Sequence, residues 1–322
     1  MSRILKKKEF GIFLVILVLS SILTMINRVF IRPDNLIDVA KGNVVPGIMA
    51  LGMLPVLISG GIDLSVSSTI ALSSVIAGKI MVNYGGNLFV VLLVSLGVGA
   101  AVGALNGIII AKLKIPPIVA TLGTMSIILG FVMKYTNGDW ITNLPEWFKS
   151  FGVIKVAGLP IQVLILVLAG AVTWFALNYT LTGRGIYAVG GSPSSALRVG
   201  YNVDRIQVFI YTFCGAMAGL AGVIHTSIVQ QVDPNTFNGM ELKVIISVVI
   251  GGASTMGGIG TVLGTFLGVA LMAILNNGLV LAKVPTFWQK IVMGLIIVFA
   301  VSFDVINRKR EKAKLERVDV EE

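Results

Sequence analysis

The chain has 322 residues, 56% of them hydrophobic and 12% charged, with a mean hydropathy of +0.94. A soluble domain carries roughly 25% charged residues, so this composition excludes a soluble globular protein and points to a membrane-embedded one. The formal charge of +10 does not mark a nucleic-acid binder, because basic residues gather at the two ends, in "RILKKK" and "RKREKAK", beside apolar runs.

In chain order, Arg3, Lys6, Lys7 and Lys8 precede an apolar run through Ile26. The run is longer than a signal-peptide core and lacks a small-residue cleavage site, so it reads as a retained first helix. A membrane helix needs about 20 mainly apolar residues. By that measure spans are expected near 10–26, 44–60, 65–82, 88–111, 117–134, 162–178, 206–229, 242–255, 258–281 and 287–303. The expectation is an all-α polytopic membrane protein, about ten transmembrane helices in a single domain over 1–322, with glycine-rich helix breaks. Arg308, Lys309, Arg310, Lys312, Lys314 and Arg317 fill the tail 304–322. With the basic segment at 1–9, they put both termini in the cytoplasm.

Between the second and third spans lies "ISGGIDLSVSST", residues 58–69. Asp63 is its one carboxylate, beside Gly60 and Gly61 and ahead of Ser65, Ser67, Ser68 and Thr69. A helix that breaks in hydrocarbon frees backbone N–H and C=O groups at several kcal/mol each. Glycine allows the turn, and the hydroxyls can satisfy the freed groups. Two readings of Asp63 stand open: a cap on the following helix, or a direct contact with a polar permeant or with a residue that switches between two states. Farther on, Asn106, Thr121, Thr124, Asn276 and Asn277 are neutral polar groups inside apolar spans. They are helix glue by default, and also what a path for a neutral polyhydroxylated solute would use.

The link 135–161 is the longest expected outside the cell, and Trp140, Trp147 and Phe148 in it suit either a protein contact or the aromatic belt of a bilayer. In the link 179–205, "SPSSALRVG" reads as a short helix: Ser192 caps it, Pro193 takes the first position and Gly200 ends it. His225 and Cys214 are single and have no metal-binding cluster around them. A second break, "GGASTMGGIG" at 251–260, carries Gly251, Gly252, Gly257 and Gly258. It resembles the first, with a glycine pair after an apolar run and hydroxyls following. That is a candidate weak internal repeat of the sort transporters carry.

Catalytic chemistry is missing. No Walker A pattern, HExxH pattern, paired intramembrane carboxylates or metal spacing occurs, so neither a cofactor nor a metal is expected.

Several long motifs appear in a fixed order: "ISGGIDLSVSS", "ALNGIIIAKLKIPPIVATLGTMSI", "TGRGIYAVGGSPSSALRVGYNVDR" and "VVIGGASTMGGIGTVLG". Together they resemble the permease subunit of ribose-type ABC importers of simple sugars, over about residues 10–306. The resemblance implies an inner-membrane permease that passes a small neutral sugar by alternating access. It implies that 182–205 is a segment coupled to an ATPase, through Gly183, Arg184, Gly190, Gly191, Ala196, Leu197, Arg198 and Gly200. The implied partners are an ATPase subunit with two nucleotide-binding halves, an extracytoplasmic sugar-binding protein, and a second permease copy or a paralogous permease, all in membrane lipid. The sequence departs from the family pattern at Lys243 and Ser247, and nothing in it selects one sugar. The rival readings are a secondary transporter driven by an ion gradient, which would need more intramembrane charge than Asp63 and His225 supply, and a membrane-embedded enzyme.

Overall fold

Apolar segments of this length have one backbone solution in hydrocarbon, in which each N–H and C=O bonds within its own helix. In the computed structural model, which describes residues 2–292, 294–296, 298, 299 and 302 and side chains from Glu9 onward, the chain takes that solution. Helix α1 (Ser2–Ile26) is followed by a 3-10 turn (Arg28–Ile31), α2 (Pro33–Gly42), α3 (Val44–Ile58), α4 (Val66–Tyr84), α5 (Leu88–Leu113) and α6 (Pro117–Thr136). Next come α7 (Glu146–Val153), a small hairpin of β1 (Lys155–Val156) and β2 (Leu159–Pro160), and α8 (Ile161–Tyr179). Then follow α9 (Leu181–Gly191), α10 (Pro193–Arg198), α11 (Val203–Val229), α12 (Met240–Ile250) and α13 (Val262–Leu281). Residues 286–292 are again helical.

Among the described residues, seven helices are long and apolar enough to cross a membrane: Glu9–Ile26 of α1, then α4, α5, α6, α8, α11 and α13. They coincide with seven of the expected spans. Two others are shorter than expected. The span at 44–60 is α3, 15 residues long, and the span at 242–255 is α12, 11 residues long. At about 1.5 Å per residue they reach only ~22 and ~16 Å, against roughly 30 Å of hydrocarbon. Helix α3 makes up length by joining α2 across a 45° bend. Helix α12 continues into the glycine-rich loop. The expected span 287–303 lies partly outside the described residues, and the tail 304–322 wholly so.

Helix α3 is the centre of the core, buried along nearly its whole length from Val44 to Ile58. Around it pack α8, α11 and α12, and α11 in turn packs on α4 and α5. The α5–α11 seam is built on glycine. A Cβ on Gly99 would strike the Gly215 carbonyl, one on Gly103 the Tyr211 carbonyl, and one on Gly219 the Ser95 carbonyl. Small residues at this spacing let two membrane helices meet backbone to backbone, where dispersion rather than the hydrophobic effect holds them.

Cross-contacts define two ends of the bundle. At one end Glu9 meets Thr261, Lys112 and Lys114 meet Asp204, and Tyr187 meets Gly260. At the other Asn27 meets Leu281, Asn35 meets Asn277, and Ile141 pairs with Val232. Both glycine breaks lie toward the first end, called the break end below.

The seam yields a stability prediction. Gly103→Val should cost about 3 kcal/mol or more, because backbone rather than a movable side chain blocks the added atoms. Gly97→Ala, which faces open space on the same helix, should stay within about 0.5 kcal/mol. Unfolding of the detergent-solubilised protein compares the two, and equal stabilities would refute the account of the seam.

Candidate functional site

Helix α3 ends because Gly60 turns it, with φ at +82°. The Gly60 and Gly61 N–H groups fold back onto the Leu57 and Val56 carbonyls at 2.9 and 3.0 Å. Asp63 then organises the start of α4. Its Oδ1 accepts from the Ser65 N–H at 2.9 Å and from Ser65 Oγ at 2.6 Å. Ser65, not Asp63, is the N-cap residue of α4, so Asp63 shapes the turn that leads into the helix without capping it. Asp63 is 2% exposed, and none of the ion pairs among the described residues includes it.

From Ser65 the bonds run outward. Asn106 Nδ2 donates to Ser65 Oγ at 2.8 Å, and Thr124 Oγ1 donates to Asn106 Oδ1 at 2.7 Å. Thr121 Oγ1 accepts from the Leu64 N–H at 3.1 Å and donates to the Pro117 carbonyl at 2.8 Å. Five of the expected pathway residues, Asp63, Ser65, Asn106, Thr121 and Thr124, therefore form one buried cluster joining the first break to α5 and α6. Asn276 and Asn277 do not join it. They lie toward the other end of α13, where Asn277 exchanges amide bonds with Asn35 at 3.2 and 3.0 Å. Sequence reasoning missed Tyr211, whose hydroxyl is buried beside Gly61 with no hydrogen-bond partner among the described residues.

The second break, between α12 and α13, closes on itself and on the first. Ser254 N–H reaches the Ile259 carbonyl at 3.0 Å, and Gly258 N–H reaches the Ile58 carbonyl at the end of α3 at 2.7 Å. Thr261 caps α13, accepting from the Gly264 N–H at 3.0 Å, and donates to Glu9 Oε1 at 2.6 Å. The two breaks share one form, a short helix, a glycine turn and a long helix, and they touch.

A third segment completes the junction. Gly190, near the end of α9, sits where a Cβ would strike the Ile58 carbonyl and come within 2.6 Å of the Gly258 nitrogen. One turn earlier, Tyr187 donates its hydroxyl to the Gly260 carbonyl at 2.8 Å. Burial pushes the Tyr187 phenol up to about 12, so it holds that proton at neutral pH.

The expected helix of the 179–205 link is α10. Ser192 Oγ accepts from the Ser195 N–H at 3.3 Å, Pro193 starts the helix, and Gly200 ends it at φ +90°. The eight residues assigned to ATPase contact divide. Arg184, Gly191, Leu197, Arg198 and Gly200 are exposed. Gly183 is buried against the Ala176 and Leu177 carbonyls, and Gly190 is in the junction. Ala196 is 2% exposed while Leu197 and Val199 are 64% and 72% exposed, so Ala196 packs inward and is not part of an outer face. On the opposite end, Trp140 is exposed, Trp147 partly covered and Phe148 fully buried. That removes Phe148 as a contact residue, because it anchors α7 in the core. His225 packs edge-on against Phe237 at 4.6 Å, Cys214 is buried and free, and the described residues contain no metal-binding group of His, Cys, Asp or Glu.

Comparison with known proteins shows which family the sequence matches. The family described as "Branched-chain amino acid transport system / permease component" matches residues 36–301. The ribose import permease protein RbsC of Escherichia coli (strain K12) is 37% identical over 299 residues, 92% of each chain. That of Bacillus subtilis (strain 168) has the same identity and coverage. The autoinducer 2 import system permease protein LsrC of Enterobacter sp. (strain 638) is 36% identical over 307 residues, 94% of this chain and 88% of the relative. No solved structure matches the chain.

The cluster makes its own prediction. Asp63→Asn retains an acceptor for Ser65 and should fold with a loss of about 1 kcal/mol or less. Asn106→Leu removes both bonds that link Ser65 to Thr124, leaving Ser65 Oγ its bond to Asp63 and Thr124 Oγ1 its bond to the Ala120 carbonyl, and should cost about 2 kcal/mol for the two lost bonds. Thermal unfolding in detergent should rank the two in that order, and the reverse order would show that the carboxylate charge, not the bonded chain, holds the break.

Proposed function

This chain belongs to the family of branched-chain amino acid transport system / permease components, and from that premise we propose that it is the membrane subunit of an ABC importer for a small neutral sugar. It is a transport subunit and not an enzyme. ATP hydrolysis belongs to a separate ATPase with two nucleotide-binding halves, and a binding protein outside the inner membrane delivers the sugar. The named relatives import ribose and autoinducer 2, which supports a sugar or sugar-like solute rich in hydroxyls. A second permease copy, or a paralogue, completes the pathway. Both termini face the cytoplasm, so the break end faces the ATPase.

One observation carries the reading: α10 is largely exposed at the break end while α9, joined to it, is held against both membrane breaks by Gly190 and Tyr187. A partner that moves α9–α10 thereby acts on the membrane core. Leu197 and Arg198 of α10 and Val199 just after it are exposed, and they offer two apolar side chains and one cation to a cleft on the ATPase. Work passes only if those contacts are stronger in one transport state than in the other. Asp63 and its bonded neighbours brace the first break, since every hydrogen bond described for its side chain goes to Ser65. An ion-driven transporter is disfavoured by the scarcity of intramembrane charge.

Reconstitution with the ATPase and loaded binding protein tests this reading. Arg198→Asp reverses an exposed charge, and Gly200→Val forces a β-branched residue into φ +90°. Both variants should insert and fold, and both should lower sugar-stimulated ATP hydrolysis, Arg198→Asp by at least about tenfold, the loss expected when a charged interfacial contact is reversed. Normal stimulation and uptake in both would remove α10 from the coupling path. At the opposite end, reversing the exposed Asp139 and Glu146 should weaken docking of the binding protein and leave ATPase assembly unchanged. Unaltered docking affinity would take the 135–161 link out of the contact surface.

A further inference from the structure

We infer that Tyr187 and Gly190 are the positioning residues through which the coupling segment moves both membrane breaks together. This rests on the reading of the chain as an ATP-driven permease and adds the atoms that carry the motion.

The geometry is specific. The Ile58 carbonyl is freed by the end of α3 and bonded by the Gly258 N–H at 2.7 Å. Gly190 packs over that bond so closely that even a methyl group has no room between it and the Ile58 carbonyl. Gly257 closes the other side, where a Cβ would lie 2.7 Å from the Gly190 carbonyl and 3.0 Å from the Gly60 nitrogen. Tyr187 adds the one described side-chain hydrogen bond from α9 to the second break, at Gly260. Thus α9, the end of α3 and residues 257–258 share backbone contacts with no side chain between them, and the Tyr187 ring extends the junction to Gly260.

Such a junction moves as a body. Ile58, Gly257 and Gly260 are buried within it, so opening the Ile58–Gly258 bond strands a covered carbonyl and costs more than displacing the segments together. Flexibility is available at its margins. Gly60 and Gly252, at φ +82° and +94°, end α3 and α12 and can absorb rotation that other residues resist. When the ATPase shifts α10, α9 carries the shift through Gly190 to Ile58 and through Tyr187 to Gly260. Both breaks are then redirected at once.

Tyr187→Phe removes one hydroxyl and leaves the ring in place. In the complex reconstituted with ATPase and loaded binding protein, the variant should assemble and hydrolyse ATP at the wild-type basal rate. Sugar taken up per ATP should fall about three- to tenfold, the population shift that one lost hydrogen bond produces. A purely structural role for Tyr187 would lower the yield of complex and leave that ratio unchanged. A second measurement uses the wild-type complex alone. Hydrogen exchange of peptides spanning 186–192, 56–62 and 255–261 should change in the same direction when ATP is added. An unchanged uptake-to-hydrolysis ratio in Tyr187→Phe, or exchange that changes in 186–192 alone, would overturn the inference. A wild-type complex that shows no sugar-stimulated hydrolysis would instead overturn the importer reading.

Discussion

One constraint organises this protein: a backbone group freed inside a membrane must find a partner within the protein. Two helices, α3 and α12, stop short of a full crossing, so their ends release carbonyls and amides that no longer have a partner within their own helix. The Ile58 carbonyl meets the Gly258 N–H, and Gly190 seals the pair. Glycine is required on both sides because the contact is backbone on backbone. The same rule, applied without a break, produces the α5–α11 seam, where Gly99, Gly103, Gly215 and Gly219 remove side chains from the interface.

From that constraint follows a division of labour. The seam is a fixed wall, since its carbonyls leave no room for sliding. On the proposed reading the junction is a joint, since positive-φ glycines flank it and a segment at the bundle end enters it. The Asp63–Ser65–Asn106–Thr124 chain lies between them, tying the first break to α5 and α6. The proposed import by alternating access needs a part that holds and a part that turns, and the candidates for both are adjacent here.

Much of the fold was legible in the sequence because hydropathy reads continuous apolar helices well, and seven spans fell where expected. Hydropathy does not report helix length across a glycine turn, so α3 and α12 read as full spans from sequence. The short helix α10 was legible from local chemistry, since Ser192, Pro193 and Gly200 each have a positional reason. Which side of it faces outward was not, because six residues make too little periodicity, and Ala196 was placed on the wrong side. Phe148 was misread for a related reason: an aromatic residue in a polar link looks exposed until α7 is seen packed into the core. Asn276 and Asn277 resemble Asn106 by type alone and lie at the opposite end. The glycine stripes at four-residue spacing were readable, but the abundance of glycine, 37 residues in all, hid them. The meeting of Ile58, Gly190 and Gly258 was beyond reach, since nothing local links three segments so far apart in the chain.

The central claim, that the junction stays closed while its surroundings move, is tested most directly by experimental structures of the assembled complex with and without nucleotide. The distance to measure is from the Ile58 carbonyl oxygen to the Gly258 nitrogen, 2.7 Å here. The account predicts that it stays within about 3.2 Å in both states while α10 shifts relative to α5. A separation beyond about 3.5 Å in either state, with water between the two groups, would contradict it.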